Sequence, residues 1–301
     1  MDWLPIRIPT ARALLPTLLL AAGLAAASER SAWPPPLDPV LMAAWQRGVE
    51  YETAESFADS NAQYELLARA LPDSATIRWR LARNAWRLGE RLPTDDKSGR
   101  LEWFRLSESW ADEALRVDPK CGECVMWKVA SMGRVATTRG VVQSAAKAKD
   151  IAKLIDYGIS LRPAHTDSDK NHTLANLYYA GAAFYRVVPD WFWLQLVLGV
   201  RGDNERALDY IQKAIEISGE RLDYQVELGA VLLCIGHDDG DAVRLAQGRR
   251  ILEQAVVLEN FLSTDSYDRQ HAHILMAEPD RACGYSRDGW IDLSDAARSG
   301  G

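Results

Sequence analysis

The sequence predicts an all-α protein, an α-solenoid built from antiparallel helix pairs. Apolar residues recur at helical spacing along most of the chain, and prolines end these segments at regular intervals. Pro72, Pro119 and Pro163 are 47 and 44 residues apart, a period that accommodates two helices and two turns. Strand signals are weak, because the chain has no Asn-Gly turn and few runs alternate apolar with polar residues.

Residues 1–27 are predicted to be a secretory signal peptide. Arg7 and Arg12 precede an uncharged run from Ala13 to Ala27, which ends in small residues. This run is shorter than the about 20 residues of a membrane-spanning helix. We therefore expect an exported, periplasmic protein, with membrane association through an uncleaved N-terminal segment as the alternative. Residues 28–38 then form a proline-rich arm.

The helical repeat domain is predicted to span residues 39–278. In its first full repeat Trp79, Ala82 and Trp86 share an apolar face, whereas the arginines at 78, 80, 83 and 87 lie largely off it, on a wet face. An opening helix is expected at 39–71, followed by helix pairs at 73–89 with 101–117, 121–138 with 143–161, 170–187 with 204–218 and 220–235 with 241–259, and by a closing helix near 265–277.

Small residues and the C-terminal end complete the predicted architecture. Gly133, Gly181 and Gly229 fall inside predicted helices, where glycine is unfavourable by roughly 1 kcal/mol relative to alanine. We expect these glycines to allow neighbouring helices to approach closely. Residues 279–301 have little pattern, and their Gly, Ser and Arg content favours a loosely ordered tail.

Four segments have a pattern found in known helical proteins: ADEALRVDP, YYAGAAFYRVVP and GDNERALDYIQKAIEI, with ERLDYQVELGAVLLC fitting the helix that follows. Through them the chain resembles tetratricopeptide-like helical proteins, and in particular the T component of tripartite ATP-independent periplasmic (TRAP) transporters. The segment IRWRLARNAW resembles the helix openings of the regulator of microtubule dynamics family. Together these likenesses cover roughly residues 40–260.

The resemblance implies a periplasmic helical scaffold that partners a solute-binding protein, or that forms a ring or pore for an apolar ligand. The chain lacks a cysteine after its apolar N-terminal run, so it departs from lipoprotein members of such families.

The most apolar stretch of the mature chain is VVPDWFWLQLVLGVR at 187–201. It lies between the two members of a predicted helix pair, bracketed by Pro189 and Gly199. One hypothesis is that this insertion binds a ligand or partner. The alternative is a short helix that covers the core. The candidate binding residues are Trp191, Phe192, Trp193 and Leu196.

Cys121 and Cys124 form a CxxC pair at the start of a predicted helix. In an exported protein they are a candidate disulfide, and a redox role is the alternative. Metal binding would need a second ligand pair, and nothing in the spacing brings Cys234 and Cys283 together with it. We therefore predict no metal site and no cofactor.

Composition and motifs argue against several classes of function. With 35 basic and 42 acidic residues the net charge is -7, and no basic stripe is present, so we do not expect nucleic-acid binding. The chain contains no HExxH, GxSxG, GxGxxG or P-loop motif. We accordingly expect no enzymatic activity.

The resulting expectation is a non-enzymatic periplasmic scaffold that binds a protein partner, such as a transporter-associated solute-binding protein. A carrier that holds an apolar ligand in a groove or channel is the alternative, and a CxxC redox protein is a third. Homo-oligomer formation is also compatible with the pattern.

Overall fold

The structure is a computed structural model and describes residues 37–166, 170–190, 192, 195–196 and 199–290. In this part of the chain helices dominate and consecutive helices pack side by side as antiparallel pairs. The helices are α1 (Pro39–Thr53), α2 (Phe57–Ala70), α3 (Ala75–Arg91), α4 (Lys97–Val117), α5 (Gly122–Arg139), α6 (Val141–Ser160), α7 (Thr173–Val187), α8 (Asn204–Ser218), α9 (Leu222–Asp239), α10 (Ala242–Ala255) and α11 (Asp265–Ala277).

The predicted all-α solenoid is confirmed, and the helix ends have the expected local causes. Pro72, Pro119 and Pro163 each follow a helix end by two or three residues. Ser74, Asp203 and Asp241 accept hydrogen bonds from the first free backbone N–H groups of α3, α8 and α10.

The opening segment differs from the prediction, which placed a single helix at 39–71. The chain instead reverses after Thr53 and begins α2 at Phe57. Glu55 adopts the left-handed conformation (φ 58°). This conformation is usually marked by glycine or asparagine, so the sequence contains no signal for the turn. Gly48 and Tyr64 then bring α1 and α2 into contact as the first helix pair.

The helices form two layers. Alternate helices α3, α5, α7 and α9 contact one another as well as their sequence neighbours, so they form the inner layer of the superhelix. Glycine allows neighbouring helices of the two layers to approach closely at two positions. A Cβ at Gly229 would lie 2.6 Å from Leu252 of α10, and one at Gly181 would lie 2.5 Å from Tyr210 of α8. The prediction for these two glycines therefore agrees with the packing.

The C-terminal segment differs from the predicted loose tail at 279–301. Residues 279–290 form a 3₁₀ helix, Pro279–Gly284, and a short antiparallel hairpin of β1 (Tyr285–Ser286) and β2 (Gly289–Trp290). Ala282 and Tyr285 are buried in a core cluster with α9, α10 and α11, which is why this polar-looking sequence is ordered. Residues 291–301 of the predicted tail lie outside the described residues.

None of the described helices is both long enough and apolar enough to cross a lipid bilayer. The predicted signal peptide and the proline-rich arm fall on residues that the structure does not describe, apart from Leu37 and Asp38. Asp38 accepts hydrogen bonds from the backbone of Val40 and Leu41 and so begins α1.

Candidate functional site

The inner layer surrounds a cavity of about 460 Å³ on the concave side of the superhelix. Part of its apolar wall comes from small side chains that recur three residues apart, which places them on one face of each helix. These residues are Ala130, Gly133 and Ala136 of α5, Ala145 and Ala148 of α6, and Ala180 and Ala183 of α7.

Gly133 shows that this space is open. A Cβ at Gly133 would meet no atom within 4 Å, whereas one at Gly181 or Gly229 would press against a neighbouring side chain. The prediction that Gly133 permits close helix approach is therefore wrong. Gly133 faces the cavity, and its missing side chain enlarges the empty volume.

Larger apolar groups narrow the cavity at its sides. Trp86 and Trp127 pack together with their ring centroids 5.8 Å apart, and both line the cavity with Phe184. The indole Nε1 of Trp86 is buried and has no hydrogen-bond partner among the described residues. The apolar wall thus contains an N–H donor that no described protein group satisfies.

A buried ionic cluster lies at the N-terminal end of the cavity. Glu52 of α1 accepts hydrogen bonds from Arg80 (2.6 Å), Arg83 (2.7 Å) and the hydroxyl of Tyr64 (3.0 Å), all through Oε2. Burial alone would raise the pKa of Glu52, but Arg83 and Arg80 hold it below its usual range. The predicted wet face is therefore wrong for Arg80 and Arg83, which are turned inward by Glu52.

The C-terminal hairpin borders the cavity. Ser286 and Arg287 contribute to the cavity lining. Arg287 binds Glu90 of α3 (3.3 Å) and Asp268 of α11 (2.6 Å), which belong to opposite halves of the repeat array. The hairpin therefore connects the two halves across the concave side.

Asp288 extends the same network toward α4 and α5. Its carboxylate lies 3.1 Å from Arg100 and 3.1 Å from Arg134, and Arg134 also binds Glu90 at 2.5 Å. Burial would raise the pKa of Asp288, but Arg134 and hydrogen bonds from Thr137 hold it below its usual value. Three arginines and three carboxylates thus neutralise one another in the interior.

Two further groups beside the hairpin have shifted pKa values. Burial lowers the pKa of His271 to about 3, and Arg287 adds to this shift. Burial raises the pKa of Asp268 to about 7, and Asp223 and Asp265 add to this shift, although Arg287 opposes it. His271 is therefore neutral at physiological pH, and its ring contacts the hydroxyl of Tyr285.

Arg186 and a disulfide hold the C-terminal segment against α7 and α9. Arg186 of α7 forms a bidentate ion pair with Glu227 (2.7 and 2.9 Å) and donates to the carbonyls of Ala282 and Tyr285. Cys283 of the 3₁₀ helix is joined to Cys234 of α9. The spacing of these two cysteines offers no reason to bring them together, because 49 residues separate them.

Cys121 and Cys124, the candidate disulfide, are also joined in the structure. Cys121 is the N-cap of α5, and both sulfurs are buried in a small core with Trp79 and Ala114. Neither cysteine lines the cavity. This position favours packing at the helix start, and the redox alternative remains a prediction.

The two ends of the apolar insertion at 187–201 border the cavity. Val187, Val188, Pro189 and Val200 contribute to the lining. Phe192 and Leu196 are 68% and 70% exposed. Trp191 and Trp193, the other predicted binding residues, lie outside the described residues. The assignment of these four residues to partner or ligand binding remains a prediction.

Cys234, Cys283 and Asp238 form a group of potential metal ligands in the described part of the chain. Because the two sulfurs are bonded to each other, neither is available as a thiolate. The arrangement is therefore a disulfide with an adjacent carboxylate rather than a metal site.

The sequence analysis offered a groove or channel for an apolar ligand as an alternative, but it did not locate the residues that line the cavity. Each alanine on its wall is an ordinary helix residue, and only the recurrence of small residues on adjacent helices indicates an open interior. The charges of the hairpin were missed because their partners are up to 197 residues away.

A superhelix of antiparallel helix pairs around a concave cavity defines a tetratricopeptide-like helical-repeat protein. A thermophilic TPR protein from Thermus thermophilus has a similar structure, with a TM-score of 0.50, 10% identity, and coverage of 79% of this chain and 98% of that chain. At this identity the likeness shows the fold alone.

The sequence profile described as "Regulator of microtubule dynamics protein 1-3" matches residues 49–247. The chain belongs to this family. A comparison with curated proteins finds no match.

Proposed function

We propose that the protein is a non-enzymatic binding protein that takes up an apolar ligand chain in its concave cavity. The observation that carries this proposal is the small-residue part of the wall: alanines of α5, α6 and α7, with Gly133, border an apolar space that no side chain of the described residues fills. Its volume of about 460 Å³ falls within the range of small-molecule sites. Native interiors are otherwise close-packed, so an unfilled apolar space of this size favours a ligand.

The polar groups around the cavity favour an elongated, amphipathic ligand. The Glu52 cluster lies at one end, and Arg221, Asp223 and Asn176 line another part of the wall. A ligand with an apolar chain and a polar group can bury the chain against alanine and indole surfaces. Its polar group can then contact the charged and polar side chains that line the cavity.

The proposal is tested by a substitution that adds side-chain volume inside the cavity. Because a Cβ at Gly133 meets nothing within 4 Å, Gly133→Phe places a large side chain in the cavity without a backbone clash. We expect the affinity for a pyrene-labelled fatty acid, measured by fluorescence titration, to fall by about tenfold or more, because the side chain takes the ligand's volume.

Gln254→Phe, on the exposed face of α10, is the matched control and should bind the probe as the wild type does. The proposal fails if Gly133→Phe folds with an unchanged Tm and binds the probe as tightly as the control.

A protein partner, including a transporter-associated solute-binding protein, is the second candidate. The exposed Phe192 and Leu196 of the apolar insertion favour it, because large exposed apolar residues are typical of interfaces. The double variant Phe192→Ser, Leu196→Ser should lose capture of the solute-binding protein in a pull-down while its Tm stays unchanged. Retained capture by this variant would argue against the insertion as the docking site.

The export proposal is supported by the cysteines. All four pair as disulfides, and stable disulfides are typical of exported proteins. The prediction is a mature chain starting near residue 28 in a periplasmic fraction, checked by N-terminal sequencing.

A further inference from the structure

We propose that residues 278–290, the C-terminal strap, form a gate on the cavity that the Cys234–Cys283 disulfide locks and that a dithiol reductant unlocks. This inference rests on the proposed function, since it concerns access to the same cavity. It assigns the disulfide a regulatory role in addition to a structural one.

The strap lies along the edge of the cavity, where its movement would change access to the interior. Ser286 and Arg287 border the cavity, and Arg287 spans from Glu90 on α3 to Asp268 on α11. Asp288 continues the connection to Arg134 of α5. Moving the strap away would open this side of the cavity and would separate the two halves of the repeat array at the same time.

Besides the apolar packing of Ala282 and Tyr285, the strap is joined to the superhelix by three kinds of contact. Its tip is held by ion pairs, its backbone by Arg186, and its 3₁₀ helix by the bond from Cys283 to Cys234. Only the last is covalent among the described contacts. A reversible bond at the base of a bridging segment can change how often the whole segment opens.

The surroundings of this disulfide suit thiol exchange. Cys234 is fully buried, whereas Cys283 is half-buried and is the sulfur that an external thiolate can reach. The carboxylate of Asp238 lies 3.5 Å from Cys283 Sγ and 3.8 Å from Cys234 Sγ. Burial raises the pKa of Asp238 above its usual value, so the exchange takes place beside a carboxyl group whose charged form is disfavoured.

The exchange conserves atoms and electrons. One thiolate of the reductant attacks Cys283 Sγ, the bond to Cys234 breaks, and Cys234 Sγ leaves as a thiolate that takes up a proton from water. The second thiol of the reductant then attacks the mixed disulfide and releases Cys283 as a thiol. The reductant gives up two electrons and ends as a disulfide, while the protein gains two thiols.

The second disulfide offers a matched control within the same molecule. Cys121 and Cys124 lie three residues apart at the start of one helix, so their bond ties no distant element. Its removal should leave the strap in place.

The test compares three full-length mature proteins: wild type, the double variant Cys234→Ser, Cys283→Ser, and the double variant Cys121→Ser, Cys124→Ser. Hydrogen–deuterium exchange of residues 285–290 reports strap opening without any ligand. We expect exchange to be about tenfold faster or more in the Cys234 and Cys283 variant and in dithiothreitol-treated wild type, because the restraint on a 49-residue separation is lost. The Cys121 and Cys124 variant should match oxidised wild type.

The dissociation rate of the pyrene-labelled fatty acid should increase in the same proteins. Unchanged strap exchange in the folded Cys234 and Cys283 variant would overturn the gate, because the remaining contacts would then hold the strap alone. Faster strap exchange with an unaltered probe dissociation rate would also overturn it. If no protein binds the probe, the proposed function fails, while the exchange result still decides whether the disulfide locks the strap.

Discussion

The structural role of a residue in this protein depends on its neighbours in the fold, and three glycines illustrate this. Gly133, Gly181 and Gly229 look alike in the sequence, each within an apolar helix. In the structure Gly181 and Gly229 contact neighbouring helices, whereas Gly133 faces empty space. Residue type alone could not distinguish them, because the difference depends on helices far apart in the sequence.

This difference predicts opposite effects of one substitution. Gly133→Ala should raise the free energy of unfolding by about 0.5–1 kcal/mol, since alanine is the better helix former and meets no clash. Gly229→Ala should lower it by about 1–3 kcal/mol, because its Cβ would lie 2.6 Å from Leu252 and 3.3 Å from the carbonyl of Gly248. Urea unfolding of both variants checks the sign, and a loss of stability in Gly133→Ala would contradict the open cavity.

His271 predicts a pH dependence. Its pKa is about 3 in the folded protein and 6.5 in the reference state, so the unfolded chain binds the proton first as the pH falls. The wild type should lose about 2 kcal/mol through this residue between pH 7.5 and pH 5. His271→Gln removes that loss.

Asp268 acts in the opposite direction over the same range, because its raised pKa lets the folded state bind the proton first. The measurement is therefore the difference between wild type and His271→Gln in urea unfolding at the two pH values. A difference that does not change with pH would show that folding does not shift the pKa of His271, which would contradict its burial as a neutral ring.

At the scale of elements, the C-terminal strap stabilises the superhelix through buried charges. Arg287→Gln leaves Asp268 and Glu90 without one of their cations in the interior. The free energy of unfolding should fall by about 3–5 kcal/mol. Arg281→Gln, in the same segment, removes an exposed pair with Glu278 and should change stability by only about 0–1 kcal/mol.

Thermal or urea unfolding of the two arginine variants provides the comparison. Equal, small effects would mean that the strap is not part of the folding unit.

The helices could be predicted from the sequence where a local signal marks their ends. Pro72, Pro119 and Pro163 stop helices for reasons that lie within a few residues. The turn between α1 and α2 has no such signal, since Glu55 adopts a conformation more typical of glycine or asparagine. The strap was also missed, because its order comes from the burial of Ala282 and Tyr285 and from ion pairs and hydrogen bonds with residues distant in the sequence.

At the scale of the whole molecule, the strap turns an open repeat array into a closed one. Repeat proteins usually have only neighbour-to-neighbour contacts. Here Glu90 and Arg287, 197 residues apart, connect the two halves around the cavity. The period of the prolines predicted the array, but the cavity and its closure depend on contacts that exist only after folding.

The central claim is that this closed superhelix surrounds a cavity that holds an apolar ligand. The most direct measurement is native mass spectrometry of the wild type and Gly133→Phe, each purified without detergent or organic solvent. Wild type should carry a bound apolar molecule that is released on denaturation. The Gly133→Phe variant should carry none. Wild type that is bare, or a folded Gly133→Phe variant that carries the same molecule to the same extent, would contradict this claim.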